Sequence, residues 1–378
     1  MNSADAVRDR LRDQPLPGEA EAAARSWPVV EAALAERAPA GRRNRGTLRV
    51  ALVLALLCAA LATALSPAGA WIGDRFRDES ATTKPAFAAL PKGGSVLAIS
   101  RSGAYAVRAE GARRLGAFSD AGWSPHGLHV VGTDGRRLVA VNAAGTVKWT
   151  LTTRRPVHHA SWSTLDGFAV AYLEGRSLKV VAGDGDPTTN RVLRRDAAPV
   201  TPAWRPRSDR VLTYTTRGGA LVTIDIVTGR TIARAPIAPS IEPPRSIAWL
   251  RGGHHIVALR SHSLTILRSA GHVERTIPLP GVARAMAPHP SGKRVAVVVG
   301  RRVLDLRLAG GSPRQLFQGN VDGLAWSQDG RRLLLGWRDA DQWLLLGPGG
   351  RIRALHGVSR ELGSAGGFPR VAGWCCAG

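Results

Sequence analysis

Cysteine is nearly absent from this 378-residue chain, occurring only at Cys58, Cys375 and Cys376. None of the three is spaced C-x-x-C, which excludes a disulfide-stapled scaffold and a cysteine-ligated zinc site. No H-E-x-x-H, G-x-S-x-G or G-x-x-x-x-G-K-(S/T) occurs, so zincin, nucleophile-elbow and P-loop chemistry have no carrier. Aromatics are only 5% of the residues. No basic stretch is interleaved with stacking aromatics, which argues against specific nucleic-acid recognition. No asparagine sits in N-x-(S/T). Acid is scarce against base, 28 Asp+Glu to 52 Lys+Arg, for a net charge of +24. The ten histidines include the pairs His158-His159 and His254-His255. Neighbours on a regular strand point to opposite faces, so neither pair can chelate one ion from such a strand. Turn histidines that bond backbone are the expectation instead. No catalytic residue, metal ligand or cofactor is assigned.

What the chain has in quantity is repetition. The segment L-A-W-S-Q-D-G-R-R-L-L-L (324–335) reads as strand, turn, strand, with Asp329-Gly330 expected to form a two-residue hairpin. Weaker copies are led by Trp123, Trp162, Trp204 and Trp249. In another copy Pro288 takes the tryptophan's place, and a last partial copy ends at Trp374. Gly127, Gly167, Gly292 and Gly330 mark the turns. Successive separations are 39, 42, 45, 39, 38 and 48 residues. A period near 40 with several short strands per repeat, together with 43 glycines, means a β-propeller of four-stranded blades. At the start of the repeat region, S-V-L-A-I-S, A-Y-A-V-R-A and A-R-R-L-G-A-F are three strand-like runs lacking a tryptophan strand. The V-A-G-W strand at the far end lacks the three that should follow it. Pairing the two deficits gives six internal blades and one shared blade, hence seven. Six is the alternative if the copy at Pro288 is not a separate blade.

The pattern W-S-x-D-G-(R/K)-(R/K)-hydrophobic resembles the WD40-like repeats of the TolB type found in bacterial envelope proteins, over about 119–378. The resemblance implies an all-β propeller of the cell envelope that binds proteins. L-V-A-V-N-A-A-G-T-V-K-W (138–149) is similar to a quinoprotein-type repeat and L-V-T-I-D-I-V-T-G-R (221–230) to another propeller repeat. Each occurs once, which fits a generic propeller.

Ahead of the propeller (92–378) three segments are expected: a short helical or disordered cytosolic segment (1–48), a transmembrane helix (49–72) and a linker (73–91). Residues 50–72 contain no charge, enough for a helix to cross a bilayer core of roughly 30 Å. Arg42, Arg43, Arg45 and Arg49 precede them, while the other flank is mixed. The N-terminus is therefore expected in the cytoplasm and the propeller outside. The alternative is secretion after cleavage near Ala70, since Ala68-Gly69-Ala70 has the small-x-small form of a cleavage site. Within 1–48, Trp27, Val30 and Leu34 recur at helical spacing as a possible partner face. In layout this segment resembles the cytosolic helices of single-pass anti-sigma factors, although 1–48 holds neither the His nor the Cys of their zinc signature.

Beyond residue 49 there are 43 Lys+Arg against 21 Asp+Glu, a net of +22 that draws polyanions such as a cell-wall component. Scattered cations of this kind also serve simply to keep a surface solvated. Cys375 and Cys376 leave three outcomes open: a vicinal disulfide, plain burial, or intermolecular pairing. The functional expectation is an envelope scaffold or sensor binding a protein or glycan. The alternatives are a transmembrane signalling protein with a cytosolic regulator, and a propeller hydrolase.

Overall fold

The structure is a computed structural model that describes residues 87–236, 243–363 and 367–376. The expectations placed on 1–48, with Trp27, Val30 and Leu34, and on 49–72 lie outside these residues. Among the described residues no helix is long and apolar enough to cross a membrane.

Three strands come first, Ser95–Ser100 (β1), Gly103–Arg108 (β2) and Gly111–Gly116 (β3). The first blade made of consecutive strands is Asp120–Trp123 (β4), His129–Asp134 (β5), Arg137–Asn142 (β6) and Val147–Thr152 (β7). The second is Val157–Trp162 (β8), Ala169–Glu174 (β9), Ser177–Ala182 (β10) and Arg191–Arg194 (β11). The third is Ala203–Trp204 (β12), Val211–Thr215 (β13), Leu221–Asp225 (β14) and Thr231–Ala235 (β15). The fourth is Ser246–Trp249 (β16), His255–Leu259 (β17), Ser263–Arg268 (β18) and Val273–Pro278 (β19). The fifth is Ala283–Pro288 (β20), Arg294–Val299 (β21), Arg302–Arg307 (β22) and Arg314–Gln318 (β23). The sixth is Val321–Trp326 (β24), Leu333–Trp337 (β25), Gln342–Leu346 (β26) and Ile352–His356 (β27). After one helical turn, Val358–Glu361 (α1), the strand Arg370–Cys375 (β28) pairs antiparallel with β1 and completes a seventh sheet in the order β28-β1-β2-β3.

The seven-blade count therefore stands, and the copy at Pro288 is a blade of its own. Inner strands β4, β8, β12, β16, β20 and β24 touch in succession, and β28 touches both β24 and β4, so the ring closes on itself. Without β28, β1 would be the free edge of a three-stranded sheet; with it the seventh blade has four strands like the others.

The core is divided by seam. Buried apolar side chains sort into seven clusters, each shared by two neighbouring blades. Strand β21 shows how a continuous apolar run serves this plan. Val295, Val297 and Val299 enter the seam with the fourth blade, whereas Ala296 and Val298 enter the seam with the sixth. Side chains alternate along a strand, so one buried on both faces must be apolar at every position. Phe87 and Leu90, in the stretch expected to be linker, also belong to the core: they pack with Val358 and Leu362 of the α1 region, and Phe87 lies 5.7 Å from Trp343 between ring centroids.

Two local expectations are corrected. The connection between β24 and β25 is not a two-residue hairpin. Ser327 and Arg332 pair across a four-residue loop, Asp329 accepts bonds from Ser327 Oγ (2.6 Å) and the Arg331 N–H (2.9 Å), and only Gly330 takes positive φ. The loop leans on the neighbouring blade, with Gly330 O 2.9 Å from His289 Nε2. The histidine pairs are not both in turns either. His158 and His159 lie in β8 at a bulge that gives His159 φ +57°, and their rings stand 6.4 Å apart.

Beside the loop that joins the first and second blades, the buried Glu174 pairs with Lys179 at 2.5 Å and accepts the N–H groups of Arg154 and Arg155. Burial alone raises its carboxyl, but the Lys179 hydrogen bond and charge and the two backbone donors outweigh burial and hold it below the usual glutamate range. The unfolded chain binds that proton more readily. Stability from this site is therefore present above the ordinary glutamate pKa and is lost as pH falls through the lower folded value. Glu174→Gln is expected to lower the melting temperature at neutral pH and to flatten its acid decline, read from melts over a pH series. An unchanged acid limb would contradict this.

Candidate functional site

Every inner strand but β20 ends on or near a repeat tryptophan, and several of these indoles tie one blade to the one before. Trp204 Nε1 donates to Ser161 O at 3.1 Å and Trp326 Nε1 to Ala287 O at 3.2 Å. Each acceptor is the residue just before the preceding blade's own motif position, Trp162 or Pro288. Trp249 Nε1 donates instead to Thr213 Oγ1 at 3.1 Å. Trp162, Trp204 and Trp249 are buried, while Trp123, Trp326 and Trp374 are half-buried. Trp326 and Trp374 border open clefts on the same side of the ring, here called the lower face.

Loops joining the first strand of a blade to its second lie on that face, and each leans on its neighbour. An added Cβ on Gly330 would stand 2.7 Å from His289 Cε1, and φ there is +69°, so only glycine fits. Gly127 (φ +66°) faces the sulfurs of Cys375 and Cys376, which form a vicinal disulfide; a Cβ would sit 2.3 Å from each Sγ. Gly292 and Gly167 hold matching places against Arg251 and Pro125. The third blade has no glycine in this position. Its Asp209 carboxylate accepts the N–H groups of Leu165 (3.2 Å) and Asp166 (3.1 Å) instead. The turn of the repeat is thus a link between blades as well as a reversal within one.

The lower face has two chemically distinct halves. Arg205, Arg207, Arg251, Lys293, Arg331 and Arg332 form a cationic arc over the loops of the third to sixth blades. The first two blades carry Leu128, Leu165 and Phe168, which are 64%, 44% and 69% exposed. An opening of about 480 Å³ is bordered by Lys92, Arg251, Arg332, Trp374 and the disulfide.

A cleft of about 290 Å³ lies between the fifth and sixth blades. Here Arg294 Nη1 donates to Asp305 Oδ2 at 2.9 Å, and its guanidinium lies 5.6 Å from the Trp326 ring centroid. His289 packs edge-on to Trp326 at 4.6 Å. Its Nδ1 accepts the Ser291 N–H at 3.0 Å, and its Nε2 lies 2.9 Å from both Gly330 O and Arg294 Nη2. Burial and the nearby Arg294 lower its pKa against the opposing pull of Gly330 O and Asp305, so the ring is neutral near pH 7.

At the upper mouth of the channel, charges gather where the inner strands begin. Asp120 accepts the His159 N–H at 3.1 Å and lies 3.9 Å from Arg370 Nη2. Asp322 pairs with Arg338. Burial lowers the His159 pKa, with Asp120 opposing and His158 and Arg370 assisting. Among the described residues no group of three or more His, Cys, Asp or Glu could hold a metal ion.

The repeat residues singled out by the sequence thus sit at seams and on the lower face. Sequence reasoning missed Arg294, Asp305 and Arg314. The available signal was Asp305 itself, a carboxylate inside the otherwise apolar run V-L-D-L of β22.

No family model matches the sequence, and no curated protein matches it. Solved structures do. The β-propeller domain of Cps50 (Swd1) from Myceliophteria thermophila is similar at a TM-score of 0.53 and 14% identity, over 64% of this chain and 86% of that one. A chain of the mitotic checkpoint complex is similar at a TM-score of 0.51 and 17% identity, over 62% of this chain and 74% of that one. Identities this low speak for the fold alone: the described chain is a WD40-like seven-bladed β-propeller.

Proposed function

We propose that this protein is a membrane-anchored, extracytoplasmic propeller that binds an envelope protein or glycan as a scaffold or sensor, without catalysing a reaction. The observation that carries the reading is the lower face. Exposed Phe168, Leu128 and Leu165 sit on the same side of the ring as a cationic arc, and a solvent-facing aromatic beside aliphatics and arginines has the chemistry of a binding surface. The net charge of +22 beyond residue 49 supports a polyanionic partner such as a cell-wall polymer. The uncharged run at 50–72, preceded by four arginines, supports the anchor and its orientation, and the TolB-like repeat pattern supports the envelope. Fractionation of cells making the full chain tests the anchor. The protein is expected to stay in the membrane pellet through an alkaline wash and to need detergent for release. A soluble species shortened to begin near residue 71 would favour secretion, and a soluble full-length chain would overturn the anchor.

A further inference from the structure

The cleft between the fifth and sixth blades holds an unfinished polar arrangement. Asp305 is 5% exposed, and its Oδ2 takes the Arg294 guanidinium while its Oδ1 is buried without a hydrogen-bond partner. A buried carboxylate oxygen with no donor is costly, and such an atom beside a cleft marks a place where a donor fits. Arg314 and Arg331 border the same cleft, are exposed, and make no salt bridge among the described residues. Three guanidiniums line the cleft against the carboxylate of Asp305, with that of Asp329 beside Arg331 in the adjoining loop, so its charge is net positive. The half-buried Trp326 with Leu316 and Leu346 gives it an apolar wall, beside Gln315 and the glycine-rich loop at 347–350.

We infer that this cleft binds an anionic sugar unit, a sugar acid or sugar phosphate. Its charged group would meet Arg314 and Arg331, a hydroxyl would donate to Asp305, and its C–H face would lie on Trp326. Each wall requires a different part of such a molecule. An unsubstituted sugar leaves the arginines unanswered, and a bare inorganic anion brings nothing to the apolar wall. The volume of about 290 Å³ is near the small end of ligand cavities, roughly 300–1,000 Å³, and suits a single unit. This deepens the glycan side of the proposed function, yet its test is independent of which side of a membrane the ring occupies.

The test is calorimetric titration of the purified full chain with glucose 6-phosphate, glucuronate, glucose and inorganic phosphate. The two anionic sugars are expected to bind at least about tenfold more tightly than glucose or phosphate, since charge-assisted pairs and apolar contact act together. Arg331→Ala and Asp305→Asn are each expected to weaken that binding by about tenfold, while Arg230→Ala, on the third blade, leaves it unchanged. Arg331 is exposed, so its variant keeps the test valid even if Asp305→Asn fails to fold. Absence of binding, equal affinity for phosphate and glucose 6-phosphate, or an Arg331→Ala protein that binds as before would each overturn the proposal.

Discussion

A chain that stops after Pro369 is expected to lose its folded ring. Strand β28 supplies the inner strand of the seventh blade, pairing from Ser95 with Cys375 through Ile99 with Arg370. Without it β1 gains a free edge, and the seams on both sides lose Val371, Ala372 and Trp374. Burying one large apolar side chain contributes about 1.5–3 kcal/mol. Several such losses, together with a strand's worth of hydrogen bonds, compare with the whole stability of a typical domain, on the order of 5–15 kcal/mol. The shortened protein should aggregate or be digested by dilute protease under conditions in which a chain ending at Cys376 survives. A monomer that melts with the parent would show that β28 does not close the ring.

The second large effect is at a seam tryptophan. Trp204 is 4% exposed, packs into the cluster shared by the second and third blades, and donates to Ser161 O. Trp204→Ala is expected to cost about 3–5 kcal/mol, a fall in melting temperature on the order of 10 °C for a domain of this size. Trp326→Ala should cost clearly less, because its indole is half-buried at the edge of a cleft. Trp204→Phe should fall between, keeping much of the apolar volume while leaving Ser161 O without its donor. The comparison is read from thermal melts of the three variants. If Trp326→Ala proved as damaging as Trp204→Ala, burial in the seam would not be what the repeat tryptophan provides.

Much of the architecture was legible in the sequence because a propeller writes its period into the chain. The tryptophans, with Pro288 in one place, fall at the ends of the inner strands, and the complementary deficits at 95–116 and 371–374 meet in one sheet. Apolar runs such as R-V-A-V-V-V identify strands buried on both faces, but alternation alone does not say which neighbouring blade each valine meets. The six tryptophans look equivalent in the repeat, yet three are buried and three half-buried, and the contacts of Trp162, Trp204, Trp249 and Trp326 come from the preceding blade. Asp329-Gly330 alone suggests a two-residue hairpin, whereas the loop runs to four residues and meets His289, some forty residues away, a contact that local turn chemistry does not declare. Adjacency alone leaves three outcomes open for the two cysteines; in the fold they form a vicinal disulfide that packs against Gly127 of the first blade. The pairing of Asp305 with Arg294, from a neighbouring strand of the same blade, follows strand register, which a single sequence does not declare.

Sidedness is the measurement that tests the account most directly. In a bacterial host, one cysteine would be added at Val227, 61% exposed on the lower face, or at Ser26 in the segment ahead of the apolar run, with Cys58, Cys375 and Cys376 each replaced by Ala. A maleimide reagent excluded by the cytoplasmic membrane would then be applied to cells with permeabilised outer layers. Labelling of Val227→Cys but not of Ser26→Cys is the result expected of an extracytoplasmic binding propeller. Labelling of Ser26→Cys with Val227→Cys protected, or protection of both until the cells are lysed, would contradict it.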